Sequence, residues 1–183
     1  MEIKKIIVGP LQTNCYLLVD GGEMAVIDPG GDSRVILNEV KKLKDKPKFI
    51  INTHYHFDHT LANSDLKEKL GVPVLIHKNE KKFLNSFADR FLEDGEIIEI
   101  GSCMLKVVLT SGHSMGSICL FGSGFVFSGD TIFEMGVGRT DFQGGSDKDL
   151  KESLDRLSKI IKPGTTIYPG HGKIFVFQNQ QWT

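Results

Sequence analysis

The segment Phe49-Ile50-Ile51-Asn52-Thr53-His54-Tyr55-His56-Phe57-Asp58-His59 constrains the fold more than any other part of the chain. An apolar run of strand length stops at Asn52-Thr53, and three of the six histidines follow with an aspartate among them. A helical pattern comes next, with Ala62, Leu66 and Leu70 spaced four apart and Gly71 past the end. The cluster therefore sits where a strand gives way to a helix, and open α/β sheets bind ligands at the carboxyl ends of their strands. Side chains at i and i+2 of an extended segment point the same way, so His54 and His56 converge on one point. Asp58 and His59, at the turn, point elsewhere. One cluster thus offers two groups of ligands, which suits two metal ions side by side. Imidazole and carboxylate are donors that zinc or iron takes.

The rest of the chain supplies the layers. Residues 3–8, 15–19 and 24–27 read as strands separated by Gly9-Pro10 and Asp20-Gly21-Gly22. The third ends in Asp28-Pro29-Gly30-Gly31, where Asp28 either caps its own turn or serves as a buried carboxylate near the metals. Asp32 or Ser33 caps a helix with Ile36, Val40 and Leu43 on one face, which stops before Pro47. The strand at Phe49, the helix over 62–70 and a strand at 74–76 follow. This strand–helix alternation argues for an α/β layered fold. His77 has no partner spacing and reads as a surface or packing histidine. Residues 78–92 read as a helix, with Phe83, Phe87 and Phe91 in a stripe. The second half repeats the scheme, with strands at 97–100, 104–109, 118–121 and 125–127. A helix capped near Ser146, with Leu150, Leu154, Leu157 and Ile161 on its apolar face, leads to a last strand at 166–168. Two sheets face to face with helices outside are expected.

Three further polar residues stand at strand ends between glycines: His113 after Gly112, Asp130 after Gly129, and His171 between Gly170 and Gly172. Glycine lets the backbone turn sharply there and aims the single functional side chain. With His54, His56, Asp58 and His59 they make seven candidate ligands.

The bulk properties remove several function classes. With 22 basic and 23 acidic residues the net charge is −1, which gives no electrostatic case for nucleic acid or a membrane surface. Lys41, Lys42, Lys44 and Lys46 lie at a helix end, where cations suit the dipole. Cys15, Cys103 and Cys119 are odd in number and scattered, so no disulfide framework is visible. The first residues lack a signal sequence and no run is long enough to span a membrane. A cytoplasmic protein of one domain, residues 1–183, is expected.

On its His-x-His-x-Asp-His motif, with the His113, Asp130 and His171 segments following in the family's order, the chain resembles the metallo-β-lactamase superfamily. Gly136-Val137-Gly138-Arg139-Thr140-Asp141-Phe142 is similar to the Gly-Arg-Thr-Asp segment of its glyoxalase II-like (hydroxyacylglutathione hydrolase-like) branch. The resemblance runs from about Gly9 to Gly172. It implies an αββα four-layer sandwich. His54, His56 and His113 would hold one metal and Asp58, His59 and His171 a second, with Asp130 bridging. The ions would be two divalent transition metals, zinc first, with iron or manganese as alternatives. Asp58 and Asp130 would be the catalytic carboxylates. The implied reaction is hydrolysis of a small thioester such as S-D-lactoylglutathione by a shared hydroxide. Where the family usually reads Thr-Pro-Gly-His-Thr-Pro-Gly, this chain reads Thr110-Ser111-Gly112-His113-Ser114-Met115-Gly116, which loosens the loop and keeps the ligand. The sequence after Gly172 does not resemble the helical domain with which full glyoxalase II recognises glutathione. An open groove near Phe83–Phe91, Phe133, Met135 and Arg139 is therefore expected. Two rivals are a persulfide dioxygenase using one iron on His54, His113 and Asp130, and a non-catalytic metal-binding scaffold.

Overall fold

In the computed structural model, which describes residues 1–83, 88–179 and 182, alternating apolar residues build two six-stranded sheets. In the first, β1 (Glu2–Val8), β2 (Thr13–Asp20) and β3 (Glu23–Ile27) form an antiparallel meander. The chain then switches to parallel pairing through β4 (Lys46–Ile51), β5 (Val74–His77) and β6 (Arg90–Leu92). The crossovers carry α1 (Ser33–Leu43), α2 (Phe57–Thr60) and α3 (Asn63–Leu70). In the second sheet β7 (Ile97–Ile100), β8 (Cys103–Leu109), β9 (Ile118–Gly122) and β10 (Phe125–Gly129) pair antiparallel. A ribbon of β11 (Ile132–Phe133) and β12 (Gly136–Val137) leads to α4 (Asp147–Ile160). The chain returns in β13 (Thr166–Pro169), parallel to β10, with β14 (Phe175–Val176) at the edge.

The period of two sorts side chains into three interlayer cores. Tyr16, Leu18, Ala25, Ile27, Ile51 and Leu75 of the first sheet meet Ile98, Leu105, Val107, Leu120 and Phe127 of the second. Their odd-even neighbours Leu17, Met24, Val26 and Ile50 face Ile36, Val40 and Leu66 of the helices. Cys119, Val126 and Ile167 face Leu157 and Ile161 on the far side. This is the αββα sandwich expected. Each fully buried Leu, Ile or Phe contributes roughly 1.5–3 kcal/mol, so the three cores can hold the layers in place without a bound ion. No helix of the described residues is long and apolar enough to cross a membrane.

Two expectations are corrected. Residues 78–92 do not form one helix: a 3-10 helix spans Lys78–Phe83, and Phe91 lies in β6, opposite Ile76 of β5. Phe87 lies outside the described residues. At α1, Asp32 takes the capping position in a left-handed conformation (φ 49°), but its carboxylate does not cap the helix. It accepts from Gly9 N–H at 2.8 Å instead, while Ser33 donates to Asp65 at 3.0 Å. The cap at Ser146 forms as expected, accepting from Asp149 N–H.

Candidate metal centre

β4, β8, β10 and β13 all end on one rim of the sandwich, and the seven candidate ligands stand there. His54, His56 and His113 offer nitrogen donors within 4.8 Å of one another, as do the donors of Asp58, His59 and His171 and those of His54, His59 and Asp130. His56 Nδ1 lies 2.9 Å from His113 Nε2, and His59 Nε2 lies 3.3 Å from His171 Nε2. Asp58 Oδ2 is 3.1 Å from His171 Nε2 and 3.5 Å from His59 Nε2. Asp130 stands between the groups, at 3.4 Å from His59, 3.5 Å from His171 and 3.7 Å from His113. Tetrahedral donors at about 2.05 Å from an ion sit about 3.3 Å apart, so these spacings match a coordination shell.

The surrounding contacts fix which ring atom faces inward. A carbonyl oxygen only accepts, so His113 Nδ1–H donates to Arg139 O (2.7 Å) and His171 Nδ1–H to Leu11 O (3.1 Å). Asp28 does more than turn the chain. It is buried with φ 49°, and its carboxylate accepts from Thr53 N–H and from Thr53 Oγ1, each at 2.7 Å. Its Oδ2 also lies 3.0 Å from His59 Nδ1. With its proton given to Asp28, the Thr53 hydroxyl accepts from His54 Nδ1 at 3.1 Å. One carboxylate thus sets two rings, so the reading of Asp28 as a buried carboxylate beside the site holds. Buried Asn52 donates to His59 O (2.9 Å) and accepts from Asn63 (2.7 Å), tying the end of α2 to the start of α3. Gly129, at φ 49°, passes so close to Thr53 that a Cβ would lie 2.4 Å from its hydroxyl.

His54 Nε2, His56 Nε2 and Asp130 Oδ1 are buried with no hydrogen-bond partner, a cost that a cation at their centre removes. His171 Nδ1–H donates to Leu11 O, and His59 Nδ1 lies 3.0 Å from Asp28 Oδ2 without an aligned hydrogen bond. Their two Nε2 atoms face each other across 3.3 Å, a separation that a proton or a metal between them relieves. The electrostatics divide the same way. Burial, and then the other histidines, hold His54 well below its usual pKa. Burial lowers His56 to about 4, and it lowers His113 too. Burial opposes charge on His59 and His171 as well, yet Asp130 and Asp28 raise the first and Asp58 and Asp130 the second. Asp58 and Asp130 stay low against their burial because the same histidines face them.

A cleft of about 730 Å³ opens over the cluster, lined by Leu11, Tyr55, Phe57, Phe133, Val137, Arg139, Phe142 and Gln143 beside the ligands. Phe83 stacks on Tyr55 rather than lining the cleft, and Met135 borders a neighbouring hollow. His77 is a packing histidine, 1% exposed, accepting from Asn79 N–H at 3.3 Å. Sequence reasoning missed Thr53, the Asn52–Asn63 pair and Glu80, for which only proximity in space gives a signal.

The profile of the metallo-beta-lactamase superfamily matches residues 8–171. A Bacillus subtilis protein named probable metallo-hydrolase YqgX is 34% identical over 94% of this chain and 90% of its own length. Among solved structures, the BLEG-1 B3 metallo-beta-lactamase superposes with a TM-score of 0.90 at 30% identity, covering 96% of this chain and 94% of that one. TTHA1623 in a di-iron-bound form superposes at 0.85 and 32% identity, covering 94% of each. Matched over nearly its whole length in sequence and fold, the chain belongs to the metallo-beta-lactamase superfamily.

Proposed function

We propose that the protein is a metal-dependent hydrolase of the glyoxalase II-like branch that cleaves small acyl thioesters. The observation that carries this reading is the pair of three-donor groups with Asp130 between them. His54, His56 and His113 would hold one divalent ion and Asp58, His59 and His171 the other, zinc first, with iron or manganese as alternatives. When bound, such a pair lowers the pKa of a shared water towards about 7 and polarises an acyl carbonyl. The chain's own part is to keep Asp58 and Asp130 ionised and aimed, so that they can bind the ions and accept a hydrogen bond from a water between the groups. A single iron on His54, His113 and Asp130 would leave His56, Asp58, His59 and His171 unused, and the Gly138-Arg139-Thr140-Asp141 segment favours the hydrolase over the dioxygenase. The mutual spacing of Asp58, His59 and His171 also speaks against a chance scaffold.

The cleft suits a small substrate. Arg139 is its only lining Lys or Arg among the described residues, and Asp141 already holds it through two contacts of 2.6 Å. Its guanidinium stacks over Phe142 at 4.2 Å. Leu11, Phe57 and Phe142 are 52%, 62% and 45% exposed around the opening. An apolar rim without an unengaged cation gives the carboxylates of glutathione little to bind. We therefore expect several small thioesters to turn over, with a high KM for glutathione conjugates, because contacts missing equally from ground and transition states raise KM alone. The test compares kcat/KM for one acyl group on glutathione and on a truncated thiol, with a β-lactam alongside. A glutathione preference above about a hundredfold, roughly 2.7 kcal/mol, overturns the specificity argument. Turnover of the β-lactam alone overturns the thioester reading.

The two groups should also separate by pH. His54, His56 and His113 are already uncharged near neutrality because their pKa values are lowered. His59 and His171 are raised, so a metal there displaces protons until the pH passes their raised values. Between about pH 6.5 and 8 the first group's affinity should stay flat while the second's climbs, by up to about tenfold per pH unit for each proton displaced. Chelator competition at several pH values reads this directly, and parallel curves for the two steps contradict it.

A further inference from the structure

The 3-10 helix Lys78–Phe83 supplies no candidate ligand, yet it touches both loops of the first group. Its Phe83 stacks on Tyr55, between His54 and His56, with ring centroids 4.3 Å apart and planes 14° from parallel. Its Asn79 amide donates to Met115 O at 3.3 Å, two residues past His113. Between these two contacts Glu80 is wholly buried. Glu80 Oε1 accepts from Gly116 N–H at 3.0 Å and from the Ser114 hydroxyl in a shorter contact. Ser114 Oγ continues the chain to Ser117 Oγ at 2.6 Å. Glu80 Oε2 has no hydrogen-bond partner, and no ion pair reaches the carboxyl among the described residues. Burial accordingly raises its pKa to about 7, against the two hydrogen bonds. An acid buried at such cost needs a reason to stand there.

The loop it grips has ties of its own, Gly112 N–H to Ser114 O at 3.0 Å and the Ser111 hydroxyl to Met115 O at 2.7 Å, which close the loop on itself. Gly112 and Gly116 bracket His113, Ser114 and Met115, and glycine brings the greatest backbone freedom. His113 itself is oriented from behind by Nδ1–H to Arg139 O, while its Nε2 lies 2.9 Å from His56 Nδ1. Glu80 ties down the residues that follow it, and the fit is tight: a Cβ at Gly116 would lie 2.7 Å from Glu80 Cγ. We propose that Glu80 is a positioning residue that locks the 112–116 loop so that His113 Nε2 faces His54 and His56. This rests on the metal-binding reading above and extends it to a residue outside the ligand set.

The test uses the full chain in a His171→Ala background, where the remaining affinity belongs to the first group. Glu80→Met keeps the volume and removes the acceptor, Glu80→Gln keeps an acceptor oxygen, and Gly116→Ala pushes the side chain aside. Cobalt(II) affinity by chelator competition and the cobalt d–d spectrum are read together with the thermal midpoint. Glu80→Met and Gly116→Ala should weaken binding by about 10–100-fold, as loss of partners behind metal ligands does, and should alter the spectrum. Glu80→Gln should restore most of both. Unchanged affinity and spectrum in Glu80→Met overturn the proposal. So does a loss that Glu80→Gln shares and that follows the thermal midpoint alone, because that marks a merely structural role. If Glu80→Met does not fold, Gly116→Ala against Glu80→Gln decides in the same terms. Failure of the unsubstituted chain to bind two ions overturns the metal reading itself, and is distinguished by that stoichiometry.

Discussion

Asp130→Ala should abolish activity and weaken both metal sites, whereas His171→Ala should empty mainly the second. Asp130 lies within 3.4–3.7 Å of His59, His171 and His113, so it faces donors of both groups. His171 faces Asp58, Asp130 and His59 and makes no such approach to His54 or His56. Replacing partners behind a ligand already costs 10–100-fold, so loss of a shared ligand should cost on the order of 10³-fold in kcat/KM. Metal content separates the two variants: near zero for Asp130→Ala, close to one ion per chain for His171→Ala. Equal loss from both variants, or a second site intact in Asp130→Ala, contradicts a bridging role.

Gly170→Ala should be nearly as damaging without adding or removing a donor. A Cβ there would lie 2.1 Å from Asp130 Oδ1 and 2.6 Å from His59 Cε1. The backbone cannot back away, because Gly170 N–H donates to Gly129 O at 2.8 Å and Gly170 O accepts from Asn14 N–H at 2.7 Å. Asp130 and His59 must therefore move. Overpacking of this kind costs about 1–3 kcal/mol in stability, which the three cores can absorb. A displacement of about 1 Å at a reacting centre costs on the order of 10²-fold in rate. A folded variant with at least a hundredfold lower kcat is the expected outcome. Wild-type turnover would mean that Asp130 is not held where the structure places it.

Much of this arrangement was legible because each layer writes its own period. Strand alternation marks inner and outer faces, so Leu17 and Leu18 part company into different cores. The candidate ligands declared themselves as polar residues at the ends of apolar runs, and the glycines beside His113, Asp130 and His171 added to the signal. The spacing of Phe83 and Phe91 misled because four-residue steps also arise by chance: Phe83 ends a 3-10 helix and Phe91 lies in a strand. Phe83 spends its ring on Tyr55 and Phe91 faces β6's neighbours. β11, β12 and β14, each two residues long, are too short for any period to show. Glu80 and Thr53 stayed hidden for another reason. Their roles depend on partners 34 and 25 positions away, and no local pattern carries such a pairing. Asp28 was half legible, since a strand-end aspartate serves a turn as readily as a metal site.

The measurement that tests the central claim most directly is a titration of metal-free protein with zinc, following bound ions per chain and thioester hydrolysis together. Hydrolysis of S-D-lactoylglutathione or a smaller thioester should rise until two ions are bound per chain, with no oxygen consumed. Full activity at one ion per chain, or oxygen uptake with a persulfide while every thioester stays intact, would contradict the account.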